Sequence, residues 1–376
     1  MLYKNYDISG CAHKISSYTD LVVEAIKSVL YIKIFEIPII IIWIILFGVF
    51  CTLRFRFVNI KLFSHALMIL FGKYDKNKSK GAITHLQAFF TSISGTIGLG
   101  TISGVAIAIS MGGPGAIFWM AIVGVLGMST KFAEVILAFK YRDYSDQNVK
   151  GGPFYYMKKG FAELGYKKLG KFLAIFYALL LLIAMAFGGI PFQANQTVVV
   201  FNNLFIRIDI ELISLFLTIL VSLVIVGGIK RIATVTVKLA PIMTLMYIVG
   251  CSIIIIMHRD RILDALTTII NQAFNFDSAA GGFVASFVAG VRRSVFANEA
   301  GIGTAAIAHS AAKDNQSARA GCSAMLEPCV DTILISCFTG LVFILTGDYL
   351  NPNSTGDIML ASKAFTSISY LFGFIV

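Results

Sequence analysis

Apolar residues fall along this chain in blocks, most of about 20 positions or longer, and blocks of that length cross a hydrocarbon core of roughly 30 Å as helices. The first covers 34–57. Two more, 84–112 and 115–141, flank the turn Gly112-Gly113-Pro114-Gly115. Others follow at 172–201, 210–227, 233–258, 279–309 and 320–346, and a last one runs from Ile358 to Val376. The pattern predicts eight crossings and part of a ninth. Ahead of them, Val22, Val23, Ile26, Val29 and Leu30 recur at helical spacing, with Glu24 and Lys27 elsewhere on the wheel. That spacing predicts an interfacial helix over 20–33.

Composition sharpens the picture. Of 376 residues, 57% are hydrophobic and 14% charged, against about 25% charged in soluble domains. A soluble enzyme is excluded. The net charge of +11 would raise the question of nucleic acid, but the basic residues sit in alternate connections. Lys61, Lys73, Lys76, Lys78 and Lys80 follow the first block; Arg142, Lys150, Lys158, Lys159, Lys167, Lys168 and Lys171 follow the third; Lys230 and Arg231 precede the sixth. This is the positive-inside bias of cytoplasmic loops. It predicts a multi-pass protein of the cell membrane with its N-terminus outside, the lipid bilayer as its surroundings and no nucleic-acid partner. The start lacks the pattern of a cleaved signal peptide. The six cysteines form no CxxC pair and read as packing residues. Scattered histidines offer no metal cluster, and no Walker A sequence supplies ATP-driven transport. No cofactor is expected, and an ion gradient is the expected energy source.

The second block contains Ser94-Gly95-Thr96-Ile97-Gly98-Leu99-Gly100-Thr101-Ile102-Ser103-Gly104, too rich in glycine and β-branched residues to favour a continuous helix. The seventh contains Asn298-Glu299-Ala300-Gly301-Ile302-Gly303-Thr304. Both carry a Gly-aliphatic-Gly-Thr core, and the crossings between them place the two blocks in opposite directions. An inverted repeat with a discontinuous helix opening each half has this signature. Freed N–H groups at such a break meet an anionic group and freed carbonyls meet a cation, which suits an amino-acid zwitterion with a co-transported ion. Close helix packing through small residues is the alternative. The repetition at inverted positions, with polar Asn298-Glu299 at the second break, favours a site.

The stretches GTIGLGTISGVAIAISMGGPGAIFWM (95–120), GMSTKFAEVILAFKYRD (127–143), GGPFYYMKKG (151–160), RSVFANEAGIGTAAIAHSAAK (293–313) and MLEPCVDT (325–332) resemble the alanine or glycine:cation symporter family. The resemblance implies an all-α polytopic protein with a leucine-transporter-like 5+5 inverted-repeat fold, sodium-coupled symport of alanine or glycine, and no enzymatic activity. It also implies an organisation into an N-terminal segment (1–33), an extra transmembrane helix (34–57), a first five-helix repeat (84–258) and a partial second repeat (279–376). Backbone N–H groups of Leu99 and Gly100, with Thr101 beside them, would meet the substrate carboxylate. Gln193 would look toward the substrate, and Phe296, Ala300 and Gly301 would line the pocket. Carbonyls of Ser94 and Ile97 would hold part of a sodium site. Thr101 stands where the family usually has Asn. A full second repeat would extend roughly 75 residues past Val376, so a truncated, non-transporting remnant or one part of a split transporter is the alternative expectation.

Ionisable residues inside spans need partners. Lys131 and Glu134, spaced i, i+3, are expected to pair with each other. Glu327 and Asp331, spaced i, i+4, are expected to share a helix face and attract Lys238 or Arg292, in a structural network ahead of a proton relay. Glu299 is placed to cap freed amides at the second break or to tune the site. The lack of a carboxylate within the first break favours sodium over proton.

Overall fold

A computed structural model of the chain describes residue 24 and residues 32–34, 36–74, 81–144, 149–204, 209–275, 282–350 and 358–366. The expected interfacial helix over 20–33 lies almost wholly outside them. The first block divides: Lys33–Ile34 pairs antiparallel with Ile37–Pro38, and the helix, α1, occupies Ile39–Arg54. Helix α1 starts right after Pro38, whose ring removes an N–H but fits a helix entry. The chain forms two compact units, 1–46 and 47–376, and the helices after α1 all belong to the second.

These helices are α2 (Val58–Lys61), α3 (Phe63–Leu70), α4 (His85–Thr96), α5 (Leu99–Gly112), α6 (Gly115–Lys140), α7 (Pro153–Glu163), α8 (Lys167–Ala184), α9 (Ile190–Leu204), α10 (Ile210–Ile225) and α11 (Gly228–Met257). They continue as α12 (Ile262–Ala273), α13 (Gly282–Asn298), α14 (Thr304–Ser310), α15 (Ser317–Thr346) and α16 (Ile358–Thr366). Among the described residues four stretches, within 115–140, 167–201, 228–257 and 317–346, are long and apolar enough to cross a membrane, and the bent pair α4–α5 makes a fifth. Helices α1 and α10 are apolar but shorter, at 16 residues each. Two amphipathic helices, α7 and α12, interrupt what the hydropathy pattern leaves as connections. Pro153 at the first helical position pre-sets the entry to α7.

Helix α6 is central. It packs against α12, α13, α14 and α15, and most of its length is buried, including Lys131 and Glu134. Helices α8 to α11 instead present large apolar side chains outward, among them Phe172, Leu182, Phe187, Phe216, Val226 and Leu245. In water such a face would be untenable; in hydrocarbon it is the natural surface, and the burial gradient from α6 to α10 is that of a membrane bundle.

Small residues set the close approaches. A Cβ on Gly290 would stand 2.6 Å from the carbonyl oxygen of Ala116, and one on Gly115 would collide with the backbone of Gln272 and Ala273. Trp119 closes this seam, donating Nε1–H to the Ala273 carbonyl at 3.2 Å amid Phe118, Phe274, Phe283 and Phe287. The five described cysteines are free, and Cys51, Cys251 and Cys322 are buried; Cys11 lies outside the described residues.

Candidate substrate and ion site

The second block is interrupted where its glycines predict. Helix α4 begins with a capping box, in which Thr84 Oγ1 accepts from the Gln87 amide and the Gln87 side chain accepts from the Thr84 amide. It ends as Ile97 turns extended, and Gly98 takes φ 152° and ψ −147° before α5 starts. The two halves are bent by 42°. A Cβ on Gly95, Gly98 or Gly104 would meet nothing within 4 Å, so these glycines do not serve close packing. At Gly98 the conformation itself calls for glycine.

The seventh block breaks over 299–303, with φ of 51° at Glu299, 89° at Gly301 and 104° at Gly303. Its amides are claimed from within the protein. The Ala300 amide donates to Asn298 Oδ1 at 2.9 Å, the Gly301 amide donates to Glu134 Oε2 at 2.9 Å, and the Ala306 amide donates to Glu134 Oε1 at 3.3 Å. Tyr177 Oη donates to the Ile302 carbonyl at 2.6 Å. Glu134 thus caps the freed amides in place of Glu299, which accepts from Thr304 Oγ1.

A cavity of about 530 Å³ lies between the breaks. Its walls include Ser92 and Gly95 from α4, Gln193 and Thr197 from α9, and Glu299 and Thr304 from the second break. A π-helical turn at Met185–Gly189 borders it. Gln193 Nε2 donates to the Gly95 carbonyl at 3.0 Å, which ties α9 to the first break. Among the described residues Glu299 forms no ion pair with a lysine, arginine or histidine.

Of the residues expected at the site, Gln193 lines this cavity, whereas Ser94, Ile97, Thr101, Phe296, Ala300 and Gly301 are not among its walls. Leu99 and Gly100 form the first turn of α5. Thr101 is fully buried; its hydroxyl oxygen lies 2.7 Å from both Asp331 Oδ1 and the Thr96 carbonyl and donates its one proton between them. The Ser94 hydroxyl turns back to the Thr91 carbonyl, and the Ile97 amide donates to the Ile93 carbonyl. Phe296 is partly exposed, edge-on to Phe192. The Ala300 and Gly301 amides are engaged as described. The first break does have a carboxylate beside it: Asp331 of α15 reaches it through Thr101.

The expected ion pairs are corrected. Lys131 Nζ lies 3.0 Å from Glu327 Oε2 rather than on Glu134, whose two oxygens already face backbone amides. Glu327 also accepts from Ser92 Oγ at 2.9 Å and meets His309 Nε2 at 2.5 Å. Asp331 is occupied by Thr101 and Thr332, not by Lys238 or Arg292. A π-helical segment at Cys329–Ile335 begins between Glu327 and Asp331.

Below the site, the chain between α14 and α15 docks on the start of α4. Ile83 and Ala312 form a parallel bridge, and the Lys313 amide donates to the Ile83 carbonyl at 2.7 Å. Asp314 meets His85 Nε2 at 2.9 Å and accepts from the Asn315 and Gln316 amides just ahead of α15. Arg142 donates to the carbonyls of Ala312, Asp314 and His309. Burial alone would raise the Asp314 carboxyl, but the His85 and amide hydrogen bonds hold it below its ordinary value. A depressed folded-state value gives stability that is present above the ordinary aspartate range and lost as pH falls through the lowered value. Thermal unfolding in detergent should therefore show Asp314→Asn less stable at neutral pH and less sensitive to acid than the parent; equal acid sensitivity would contradict this.

The profile of the Sodium:alanine symporter family matches residues 17–375. An uncharacterized transporter of Haemophilus influenzae is 39% identical over 316 residues, covering 82% of this chain and 67% of that protein. The sodium/alanine symporter AgcS of Methanococcus maripaludis is 38% identical over 334 residues, covering 88% of this chain and 73% of its own length. The amino-acid carrier protein AlsT of Bacillus subtilis is 33% identical, with 83% and 66% covered. With apolar helices long enough to span a bilayer, two interrupted helices and a cavity between their breaks, the chain belongs to the sodium:alanine symporter family, whose members are membrane transporters and not enzymes.

Proposed function

We propose that this chain couples entry of sodium to uptake of alanine or glycine across the cell membrane, with the cavity between the two breaks as the transport site. The observation that carries the reading is that Gly95 in the last turn of α4, Glu299 at the second break and Thr304 at the start of α14 face a single cavity beside Gln193. In this reading the amides of Leu99 and Gly100, with Thr101, receive the substrate carboxylate at the positive end of α5. The carboxylate of Glu299 offers a counter-charge to the ammonium. Gln193 positions the substrate, while Phe296, Ala300 and Gly301 limit its size. Carbonyls of Ser94 and Ile97 contribute to sodium coordination, which suits a hard cation that takes oxygen ligands. The halves 84–258 and 279–376 act as inverted repeats of a leucine-transporter-like fold, with the N-terminus outside.

Uptake of labelled alanine into proteoliposomes, under an inward sodium gradient compared with potassium or proton gradients, tests this. Sodium-dependent accumulation is expected. Replacing Gly100 or Gly301 by Leu should abolish substrate binding without affecting insertion, and wild-type uptake by either variant would overturn the assignment. A non-transporting remnant, or one part of a split transporter, predicts no accumulation from protein shown to be folded.

A further inference from the structure

The outward face of α8 changes chemistry along its length. Lys168, Lys171, Ile175, Leu179 and Leu182 follow one another at i+3 or i+4 spacing, which sets them in a single stripe. All five are exposed. The stripe opens on two ammonium groups, with the exposed Lys167 beside them, and continues as hydrocarbon. From Lys171 to Leu182 it rises roughly 16 Å, about half the hydrocarbon thickness of a bilayer.

The basic end has no carboxylate to answer it. Among the described residues none of the three lysines forms an ion pair. Glu163, the acid at the turn between α7 and α8, is taken by Lys140 at 3.7 Å and by the Tyr141 hydroxyl. The first turn of α8 holds no acid, and Tyr166 at its N-cap supplies no side-chain acceptor. Like charges therefore crowd the positive end of a helix dipole, an arrangement that costs stability until an anion neutralises it. The corner is also firmly built. A Cβ on Gly170 would stand 2.7 Å from both the Met157 carbonyl oxygen and Phe161 Cβ, so α7 presses on the first turn of α8. The Tyr166 amide donates to the Phe161 carbonyl at 2.8 Å, and its exposed ring suits the level of lipid headgroups.

We propose that this stripe binds an anionic phospholipid, with the phosphate on Lys168 and Lys171 and an acyl chain along Ile175, Leu179 and Leu182. A zwitterionic lipid would cover the hydrocarbon part but bring its own cation to the lysines. A soluble phosphate would meet the lysines and leave the apolar run bare. A lipid whose headgroup carries net negative charge matches both halves of the stripe. The same helix carries Tyr177, which donates to the Ile302 carbonyl at the second break, so a lipid that steadies the start of α8 also steadies that tie.

Thermal unfolding of the full chain in a neutral detergent tests the site without requiring transport. Added phosphatidylglycerol is expected to raise the midpoint by about 3 °C, and the same amount of phosphatidylcholine by less than about 1 °C. Lys168→Gln with Lys171→Gln should leave the lipid-free midpoint no lower than the parent's and lose the phosphatidylglycerol shift. A matched control, Lys230→Gln with Arg231→Gln, removes two charges at the start of α11, where polar Thr234 and Lys238 follow Lys230 at i+4 and i+8. It should keep the shift. Equal shifts with the two lipids, a parent-like shift in the Lys168 and Lys171 double variant, or equal loss in both double variants would overturn the site. Glycerol phosphate without acyl chains should give no shift; a full shift from it would overturn the lipid in favour of a soluble anion.

Discussion

Lys131→Met lowers the stability of the folded chain by about 3–5 kcal/mol, the cost of leaving a buried charge without its partner. The variant leaves two carboxylates, Glu134 and Glu327, in the interior of the bundle without the ammonium that lies between them. His309 and Ser92 still contact Glu327, and backbone amides still contact Glu134, but these contacts do not restore the lost ammonium. The double variant Lys131→Met with Glu327→Gln removes one of each sign, and a double-mutant cycle should recover more than half of the loss. Thermal denaturation in detergent, followed by the monodisperse fraction, measures both. Simple additivity of the two substitutions would mean that the pair contributes nothing as a pair.

The second large effect is expected at Gly303. A Cβ there would collide with Pro153 Cγ and lie 2.5 Å from Tyr177 Oη, on a residue whose φ is 104°. Gly303→Ala therefore combines backbone strain with overpacking, together about 1–3 kcal/mol or more. It also pushes Tyr177 off the Ile302 carbonyl, so the break loses a tie as well as its geometry. Alanine uptake is expected to fall below detection while the protein still inserts. Tyr177→Phe removes the nearest oxygen, and Gly303→Ala with Tyr177→Phe should regain stability relative to Gly303→Ala alone. If Gly303→Ala matches the parent in both stability and uptake, the close packing of α7 and α8 on this break has no functional weight.

The interrupted helices were legible because glycine and β-branched residues weaken a helix locally, and that signal is carried by the sequence itself. Close packing and conformational need look alike in sequence, and geometry separates them: Gly290 is pressed against a carbonyl, whereas Gly98 faces open space in a conformation that suits glycine. Helix α7 was signalled by Gly152-Pro153, and α12 by apolar Ala265, Ile269 and Ala273 at helical spacing, yet at 11 and 12 residues both are too short to stand out as membrane-crossing blocks. The charge partners were not legible. Spacing along one helix proposes Lys131 with Glu134, but the choice among carboxylates was made by α15, whose Glu327 arrives from nearly 200 positions away in the chain. Nor could periodicity anticipate that Asp331 meets Thr101 while Glu327 faces Lys131.

The bridge between Ile83 and Ala312 has a mechanical consequence. It joins the entrance of the first broken helix to the exit of the second, and the His85–Asp314 contact fastens the same junction, while the Arg142 fork ties the exit of the second to the chain just past α6. Half-helices α4 and α14 consequently share one lever arm on this side, and tilting either transmits torque to the other. Two fastenings across one junction, the backbone bridge and the His85–Asp314 contact, make separate rotation costly, so any change of access must either carry both half-helices together about a common fulcrum or unfasten the junction as its first event.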